Sequence, residues 1–227
     1  MSLLKRKARA FDMQVQDMII RVNAPEDYLE ESRAAAMQFW EKLHSYSVRH
    51  PDFSSSKRPV EVPEDAPPMV REMAAVSARA GVGPVFTFQG AVIDHIGRFL
   101  ARSLSELTVS SGGDYFVLTR KRNKLTVSHG SEGEGLAIVV DPAFGPCGVY
   151  TTIGRQTLPA ESVDGLVVLA SSCTVADASA AAVLAILSKP NSFKAALAHM
   201  QELEGVRGGL VIQGERVGVA GAVEIAA

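Results

Sequence analysis

The sequence predicts an α+β fold in which two similar halves pack on one core. Runs typical of strands are followed twice along the chain by a pair of helix-forming segments, an order typical of this class. The apolar run 166–169 has the uninterrupted hydrophobic character of a strand covered on both faces. Hydrophobic residues make up 47% and charged residues 21% of the 227 positions, which is ordinary for a folded chain. We expect a single domain, 1–227, with internal halves of roughly 10–120 and 121–227.

The amino-terminal half is predicted to begin with a strand pair, at 11–15 and 18–22. A helix follows over 28–49, where apolar residues recur at mostly three- and four-residue steps. His50 and Pro51 end this helix. The Pro-rich segment 50–68 cannot continue it and is predicted to be a long surface connector.

Two helices, over 69–80 and 86–107, are expected to flank a turn with the sequence Gly81-Val82-Gly83-Pro84. Further strands are predicted at 107–109, 115–118, 124–127, 136–140, 149–152 and 166–169. The Ala-rich run 175–187 predicts a buried helix, and a second helix is expected over 192–203. A hairpin at 209–213 and 216–219 and a strand at 223–225 complete the chain.

Charge and cysteine content narrow the classes of function. The formal net charge of −2 supplies no broad positive field, so we expect no nucleic-acid partner. Two cysteines cannot form a disulfide framework, and no secretory signal is recognisable, so a cytoplasmic location is predicted. The apolar stretch 165–188 carries Asp177 near its centre, where a bilayer would penalise it by about 2.5–3.5 kcal/mol. We therefore expect no membrane span.

Three short motifs combine turns with polar groups. Gly112, Gly113 and Asp114 follow a predicted strand, and consecutive glycines allow backbone N–H groups to approach an anion; an ordinary strand-to-strand turn is the alternative.

The second motif ends a strand with Thr151, Thr152 and Arg155, whose hydroxyls and cation suit a phosphate. Threonine pairs are also simply good strand formers, so this assignment stays open. Asp177 is the third motif, because a carboxylate in an Ala-rich helix must be capped, paired or bound to a metal. It either satisfies the amino-terminal end of that helix or contributes to a site for a hard cation such as Mg²⁺.

Taken together, several of these segments resemble a known family. The segments that carry the resemblance occur in the family's order: 49–53, 66–73, 80–84, 112–114, 163–169, 176–178 and 219–225. The chain is similar to a bacterial and archaeal family of the ApbE-like superfamily, the group of the thiamine-biosynthesis lipoprotein and of flavin transferases. The resemblance extends over nearly the whole chain, from about Phe11 onward.

The resemblance implies two similar β-α-α-β modules, T-fold-like, with a ligand cleft between them. In the transferases of the superfamily this cleft holds FAD and Mg²⁺, and FMN is passed to a threonine of a target protein. Asp177 matches the metal-binding aspartate, and the 112–114 segment matches a Gly-Gly-Asp turn at the cofactor.

Departures from the family pattern fall on the expected site. Ala181 stands where the transferases have a metal-binding threonine, one helical turn after Asp177. Phe86 and Phe88 replace small residues after the middle turn. The segment 151–155 differs from a Thr-Ser-Ser-Gly-Thr pattern. We therefore expect a reshaped pocket and a weakened Mg²⁺ site.

Three hypotheses of function follow. The first is binding of a flavin nucleotide, FAD or FMN, or of another phosphate-bearing small molecule in the cleft, through the residues of the first two motifs and with Asp177 at the helix end or on Mg²⁺. The second is a Mg²⁺-dependent transferase of FMN from FAD to a protein. The third is a non-catalytic scaffold or homo-oligomer with a degenerate site, which a cleft filled by Phe86 and Phe88 would favour.

Overall fold

The computed structural model describes residues 9–127, 136–153 and 163–226. Helices and antiparallel sheets are combined in this part of the chain, so the predicted α+β class is confirmed. The α-helices of the described residues are α1 (Leu29–Arg49), α2 (Pro51–Ser55), α3 (Pro68–Arg79), α4 (Phe88–Leu100), α5 (Cys173–Leu187) and α6 (Phe193–Glu202). The strands are β1 (Arg9–Val15), β2 (Met18–Ala24), β3 (Leu107–Ser111), β4 (Asp114–Leu118), β5 (Asn123–Thr126), β6 (Ala137–Val140), β7 (Cys147–Thr151), β8 (Gly165–Ala170), β9 (Val206–Gln213), β10 (Arg216–Gly221) and β11 (Ile225–Ala226).

Eight strands form one antiparallel sheet in the order β1-β2-β3-β4-β7-β8-β9-β10. Each half of this sheet has the same order of elements, namely two strands, helices and two more strands. The halves join in the middle of the sheet, where β4 pairs with β7 from Asp114 opposite Tyr150 to Val117 opposite Cys147. In the large sheet, the last strand of the first half, β4, therefore lies beside the first strand of the second half, β7.

The helices cover one face of the large sheet, and a small sheet of order β11-β6-β5 packs on part of the other. Alternate residues of the central strands therefore enter different cores. In β8, Val168 packs with α5 and α6, whereas Val167 and Leu169 pack toward the small sheet. All of β8 is buried, as the continuous apolar run predicted.

The connector between α1 and α3 contains a short helix that the sequence analysis did not predict. Proline is tolerated at the first position of a helix, and Pro51 begins α2. Its Phe53 is buried against the ring of Tyr46, with 5.4 Å between ring centroids. This part of the connector therefore belongs to the core rather than to the surface.

The predicted helix over 86–107 is shorter than expected. Residues Pro84–Thr87 form a 3-10 turn, and α4 runs only to Leu100. The chain then turns, with the N–H groups of Ser103 and Leu104 both donating to the carbonyl of Leu100, each at 3.0 Å. This shortening sets the direction from which β3 enters the sheet.

Candidate ligand-binding cleft

An open cleft of about 690 Å³ lies where the two halves meet on the helical face. Its wall combines the first turn of α4, one face of α5, the 3-10 turn before α4, the connector and the tip of the β1–β2 hairpin. Residues from both halves of the sheet, Asp114 and Tyr150, lie at its base. The cleft therefore depends on the packing of α4 against α5.

Asp177 is 5% exposed and lies on this cleft. Its Oδ2 accepts a hydrogen bond of 2.8 Å from the backbone N–H of Gly90, in the first turn of α4. Its own helix is capped instead by Ser172, whose hydroxyl accepts from the N–H of Val175 at 3.2 Å. Asp177 thus holds a helix end, as one alternative predicted, but the end belongs to α4 and not to α5.

Gly90 permits this contact. An added Cβ at Gly90 would lie 2.6 Å from Asp177 Oδ2 and 2.6 Å from the carbonyl oxygen of Cys173. Both distances are shorter than real contacts, so any side chain would push α5 away from α4. The close approach of α4 and α5 therefore requires glycine at position 90.

Asp114 begins β4 and is 2% exposed on the same cleft. It follows a two-residue hairpin in which Gly112 has φ +53° and Gly113 has φ +103°, the left-handed conformations that a tight β3–β4 turn requires. The glycines themselves line a separate cavity of about 540 Å³ beside Arg21 and Tyr115. Of the predicted Gly-Gly-Asp motif, the structure brings only the aspartate to the cleft of Asp177.

Gln89 joins the turn to the cleft wall. Its Nε2 donates a hydrogen bond of 2.7 Å to the carbonyl of Ser111, directly before the glycines, and the residue also lines the cleft. An added Cβ at Gly112 would lie 2.8 Å from this amide nitrogen. The first turn of α4 and the hairpin turn are therefore linked, a contact that the sequence analysis missed.

The structure does not bring the paired hydroxyls to the cleft. Thr151 lies on the strand face opposite Tyr150, where its hydroxyl accepts from the N–H of Ile153 at 3.0 Å and donates weakly to the carbonyl of Val127 at 3.4 Å. Thr152 is fully buried, and its hydroxyl accepts from the N–H of Leu166 at 2.8 Å. Arg155 lies outside the described residues.

Aromatic side chains form much of the cleft wall, and sequence reasoning identified only two of them. Phe86 and Phe88 line the opening without filling it, and Trp40 of α1 and Tyr150 of β7 lie on the same wall. Phe88 also packs on the buried Phe53, with 6.0 Å between centroids. The rings come from three distant segments, so only their convergence in the fold reveals the surface.

The charges around the helix crossing are concentrated on carboxylates. Burial raises the pKa of the Cys173 thiol well above its ordinary value, and Asp94, Asp177 and Asp114 raise it further. The buried thiol is therefore held neutral and unreactive near these carboxylates. Within the described part of the chain, Lys57 is the single lysine or arginine on the cleft lining.

Among the described residues, no group of three or more His, Cys, Asp or Glu could hold a metal ion. Asp114 and Asp177 line the same cleft, but Ala181 presents a methyl group to it. Mg²⁺ commonly binds through one or two carboxylates together with substrate phosphates and water. The described side chains fit Mg²⁺ in that shared manner and do not form a centre of protein ligands alone.

The paired halves, the continuous sheet and the cleft at the α4–α5 crossing define an ApbE-like fold. Similar solved structures are the flavin transferase ApbE from Vibrio cholerae, with a TM-score of 0.63 and 10% identity over 94% of this chain and 97% of that chain, and the apo flavinyl transferase ApbE of Pseudomonas stutzeri, with a TM-score of 0.62 and 16% identity over 99% and 96%. At such identities the likeness concerns the fold.

The family model described as "AbpE bacteria" matches residues 1–203, and the chain belongs to this family. It is also similar to the UPF0280 protein of Methanocella arvoryzae, 28% identical over 225 residues that cover 97% of this chain and 91% of that protein. A UPF0280 protein of Methanopyrus kandleri is 29% identical over 216 residues, covering 90% and 86%. The resemblance inferred from the sequence is thereby confirmed.

None of the helices that the structure describes is both long and apolar enough to cross a membrane.

Proposed function

We propose that this protein binds a flavin nucleotide, or another small molecule that carries a planar ring and a phosphate, in the cleft at the α4–α5 crossing. One observation carries the proposal: a single open cleft combines aromatic rings with the two buried carboxylates, Asp114 and Asp177. The similar solved structures are flavin transferases, which supports the same class of ligand.

The dimensions and lining of the cleft suit such a ligand. Small-molecule sites usually occupy roughly 300–1,000 Å³ and are mostly apolar with a few polar groups. The cleft of about 690 Å³ fits this description, with Trp40, Phe86 and Tyr150 available to pack on a ring. Its apolar floor continues along α5 through Ala181 and Leu184.

The carboxylates constrain how a phosphate is bound. A phosphate beside Asp114 and Asp177 is repelled unless a cation stands between them. Mg²⁺ would supply this neutralisation, with oxygens from the two aspartates, the ligand and water. The protein would position the ion through α5 and β4, which are both fixed by the core.

The test is thermal unfolding in the presence of FAD, FMN, riboflavin and ATP, each with Mg²⁺ and with EDTA. Saturation of a native-state site must raise the midpoint temperature of unfolding. At a ligand concentration of 100 Kd, the free energy of unfolding increases by about 2.7 kcal/mol. We expect flavins to raise it, and nucleotides with phosphates to gain from Mg²⁺. The variant Asp177→Asn should lose the gain from Mg²⁺. No shift with any of these at millimolar concentration would refute the proposal.

A second candidate function is transfer of FMN from FAD to a protein hydroxyl. The observation that favours it is the convergence of Asp114 and Asp177 on one cleft in a fold shared with flavin transferases. In this reaction the pyrophosphate bond of FAD breaks, a phosphoester bond forms to the acceptor oxygen, AMP leaves and the hydroxyl proton is released. Incubation with FAD, Mg²⁺ and a threonine-containing peptide should yield AMP and a flavinylated peptide in equal amounts. The absence of both dismisses this candidate for that acceptor class.

The scaffold hypothesis loses its main support, because it expected Phe86 and Phe88 to fill the cleft. Phe86 is 39% exposed, and both rings border open space instead. Formation of a homo-oligomer remains a prediction, and sedimentation can measure the oligomeric state.

A further inference from the structure

The connector between α1 and α3 is anchored beside the cleft through the ring of Phe53 and through the backbone carbonyl of Lys57. Phe53 of α2 is buried between Tyr46 and Phe88, and Phe88 is itself part of the cleft wall. The N–H of Ser56 donates to the carbonyl of Asp52 at 2.9 Å and closes α2. The residues that follow are therefore held at a defined position relative to the aromatic wall.

Lys57 follows this anchor and is fixed through its backbone. The N–H of Gly83 donates a hydrogen bond of 3.0 Å to the carbonyl of Lys57. An added Cβ at Gly83 would lie 2.0 Å from the carbonyl oxygen of Ser56 and 2.7 Å from the carbonyl carbon of Lys57. Gly83 is thus required for the connector to approach the 3-10 turn that bears Phe86.

The Ser56 hydroxyl fixes the next residue as well. It donates to the carbonyl of Arg58 at 2.7 Å and accepts from the N–H of Arg58 at 3.1 Å. Arg58 does not belong to the cleft lining, whereas Lys57 does. Two adjacent cations on the same anchored segment thus differ in whether they reach the cleft.

Lys57 faces a lining that is otherwise acidic. Asp17, Asp114 and Asp177 line the same cleft, so the ionisable side chains that share this lining with Lys57 include three carboxyl groups. The phosphate of a ligand is drawn to a cation and repelled by these carboxylates. A lysine ammonium is a common point-charge partner for phosphate.

We propose that Lys57 binds the terminal phosphate of the ligand and selects phosphorylated over unphosphorylated forms of the same ring compound. This inference rests on the proposed function, and it names the ligand class of that cleft as a phosphate monoester carried on a planar ring. The ring lies on the aromatic wall, and the phosphate points to the connector. Gly83 is the positioning residue that holds Lys57 there.

The experiment compares FMN with riboflavin, which has the same ring system without the phosphate. Affinities are measured by flavin fluorescence for the wild type, for Lys57→Met and for the neighbouring control Arg58→Met, each with Mg²⁺ and with EDTA. We expect Lys57→Met to reduce the preference for FMN over riboflavin by roughly tenfold, the low end for a charge-assisted hydrogen bond, because Lys57 is exposed. Arg58→Met should keep the wild-type preference.

The possible outcomes separate the two proposals. A wild type that binds both flavins and a Lys57→Met variant with an unchanged preference overturn the role of Lys57 and leave the proposed function intact. A wild type that binds neither flavin overturns both. Equal losses in the Lys57 and Arg58 variants identify a general charge effect and also overturn the inference.

A second variant tests the position rather than the charge. Gly83→Ala retains Lys57 but displaces the connector, so we expect it to lower the FMN preference while the ammonium is still present. If this variant unfolds, the salt dependence of the wild type decides the matter. Screening should weaken FMN binding more steeply in the wild type than in Lys57→Met. Parallel salt dependences would overturn the proposed contact.

Discussion

Asp94 and Asp177 occupy corresponding places on two packed helices, yet their surroundings differ. Asp177 of α5 reaches the first turn of α4 at Gly90, and Asp94 of α4 reaches the first turn of α5 at Cys173 and Thr174. The contacts run in opposite directions along the two helices, so α4 and α5 pack antiparallel. Each helix supplies a carboxylate to the other's amino-terminal end, where it is favoured by the helix dipole.

Asp94 is the more completely structural of the two. Its Oδ1 accepts from the N–H of Cys173 at 2.9 Å, and its Oδ2 accepts from the N–H and the hydroxyl of Thr174 at 2.8 and 2.7 Å. Arg98, one turn later on α4, lies 3.8 Å from Oδ2 and also pairs with Glu72 at 2.8 Å. A cation belonging to the protein therefore stands beside this carboxylate.

At Asp177 the residue one turn later is Ala181, and the carboxylate lies on the open cleft. The two carboxylates make the same kind of contact with a helix end, and they differ in the residue at i+4, which lies on the same helix face. Where that residue is Arg98, the charge is neutralised within the protein. Where it is Ala181, the neighbouring position on the cleft lining carries only a methyl group.

The largest expected effect distinguishes the two carboxylates by amide substitution. In Asp94→Asn the amide has one acceptor oxygen for two separate backbone donors, so an NH₂ group must face the N–H of Cys173 or Thr174. We expect this variant to lose about 3 kcal/mol of unfolding free energy, as for a disrupted buried charge network. Asp177→Asn can keep its oxygen toward Gly90 and should lose clearly less. Urea unfolding of both variants measures the difference.

Equal losses in the two amide variants would contradict the comparison. Arg98→Met provides the control, because it removes the neighbouring cation of the protein while leaving the three acceptor contacts of Asp94 in place. Its loss should lie well below that of Asp94→Asn, since Arg98 is half exposed.

The next largest effect is expected from adding a side chain at the close contact between α4 and α5. Gly90→Ala adds a Cβ within 2.6 Å of both Asp177 and the Cys173 carbonyl. Overpacking costs about 1–3 kcal/mol, while the gain in helix propensity returns at most about 1 kcal/mol. We expect a net loss of roughly 1–2 kcal/mol in urea unfolding, together with weaker flavin binding. A stabilised Gly90→Ala protein would show that α4 and α5 separate easily.

The sequence allowed the strands to be predicted better than the contacts between helices. Alternation and apolar runs located most of the strands of the large sheet, because strand patterns are local. The contact from Asp94 to Cys173 spans 79 positions along the chain. No local pattern in the sequence reports such a pairing.

Asp177 shows why the site itself was only partly predictable. The sequence indicated a costly carboxylate in an apolar helix, and the structure places it on the cleft. The helix begins at Cys173, so Asp177 already lies in the second turn and cannot reach its own amino-terminal N–H groups. Thr151 does not lie on the cleft, because side chains alternate along a strand and Thr151 is on the face opposite Tyr150. No local sequence pattern indicates that Trp40 lies on the cleft, because its position there depends on how α1 packs.

The two buried thiols give a smaller, pH-dependent test of the carboxylate cluster. Burial raises the pKa of Cys147 to about 11 from 9.0, and it raises that of Cys173 well above 9.0 with further repulsion from Asp94 and Asp177. The folded state thus holds both protons more tightly than the unfolded chain. Their contribution is complete below pH 9 and is lost as the pH rises toward the folded-state pKa.

Between pH 8 and pH 10, each buried thiol should lower the free energy of unfolding of the wild type by at most about 1.4 kcal/mol. Urea unfolding at both pH values should show that Cys147→Ala and Cys173→Ala each lose less stability than the wild type over this interval. Identical pH profiles for all three proteins would show that neither thiol is buried as described.

The smallest effect on stability tests the residue that distinguishes the two carboxylates. Ala181→Thr places a hydroxyl one turn after Asp177, and without ligand we expect a loss of about 0.5 kcal/mol from the lower helix propensity of threonine. With FAD and Mg²⁺ the variant should be stabilised more than the wild type, because the added oxygen completes the shared coordination of the ion. Ala185→Thr is the matched control, since it also lines the cleft but lies two turns from Asp177. If both threonine variants respond to Mg²⁺ as the wild type does, the open position beside Asp177 is not a cation position, and its difference from Arg98 reflects packing alone.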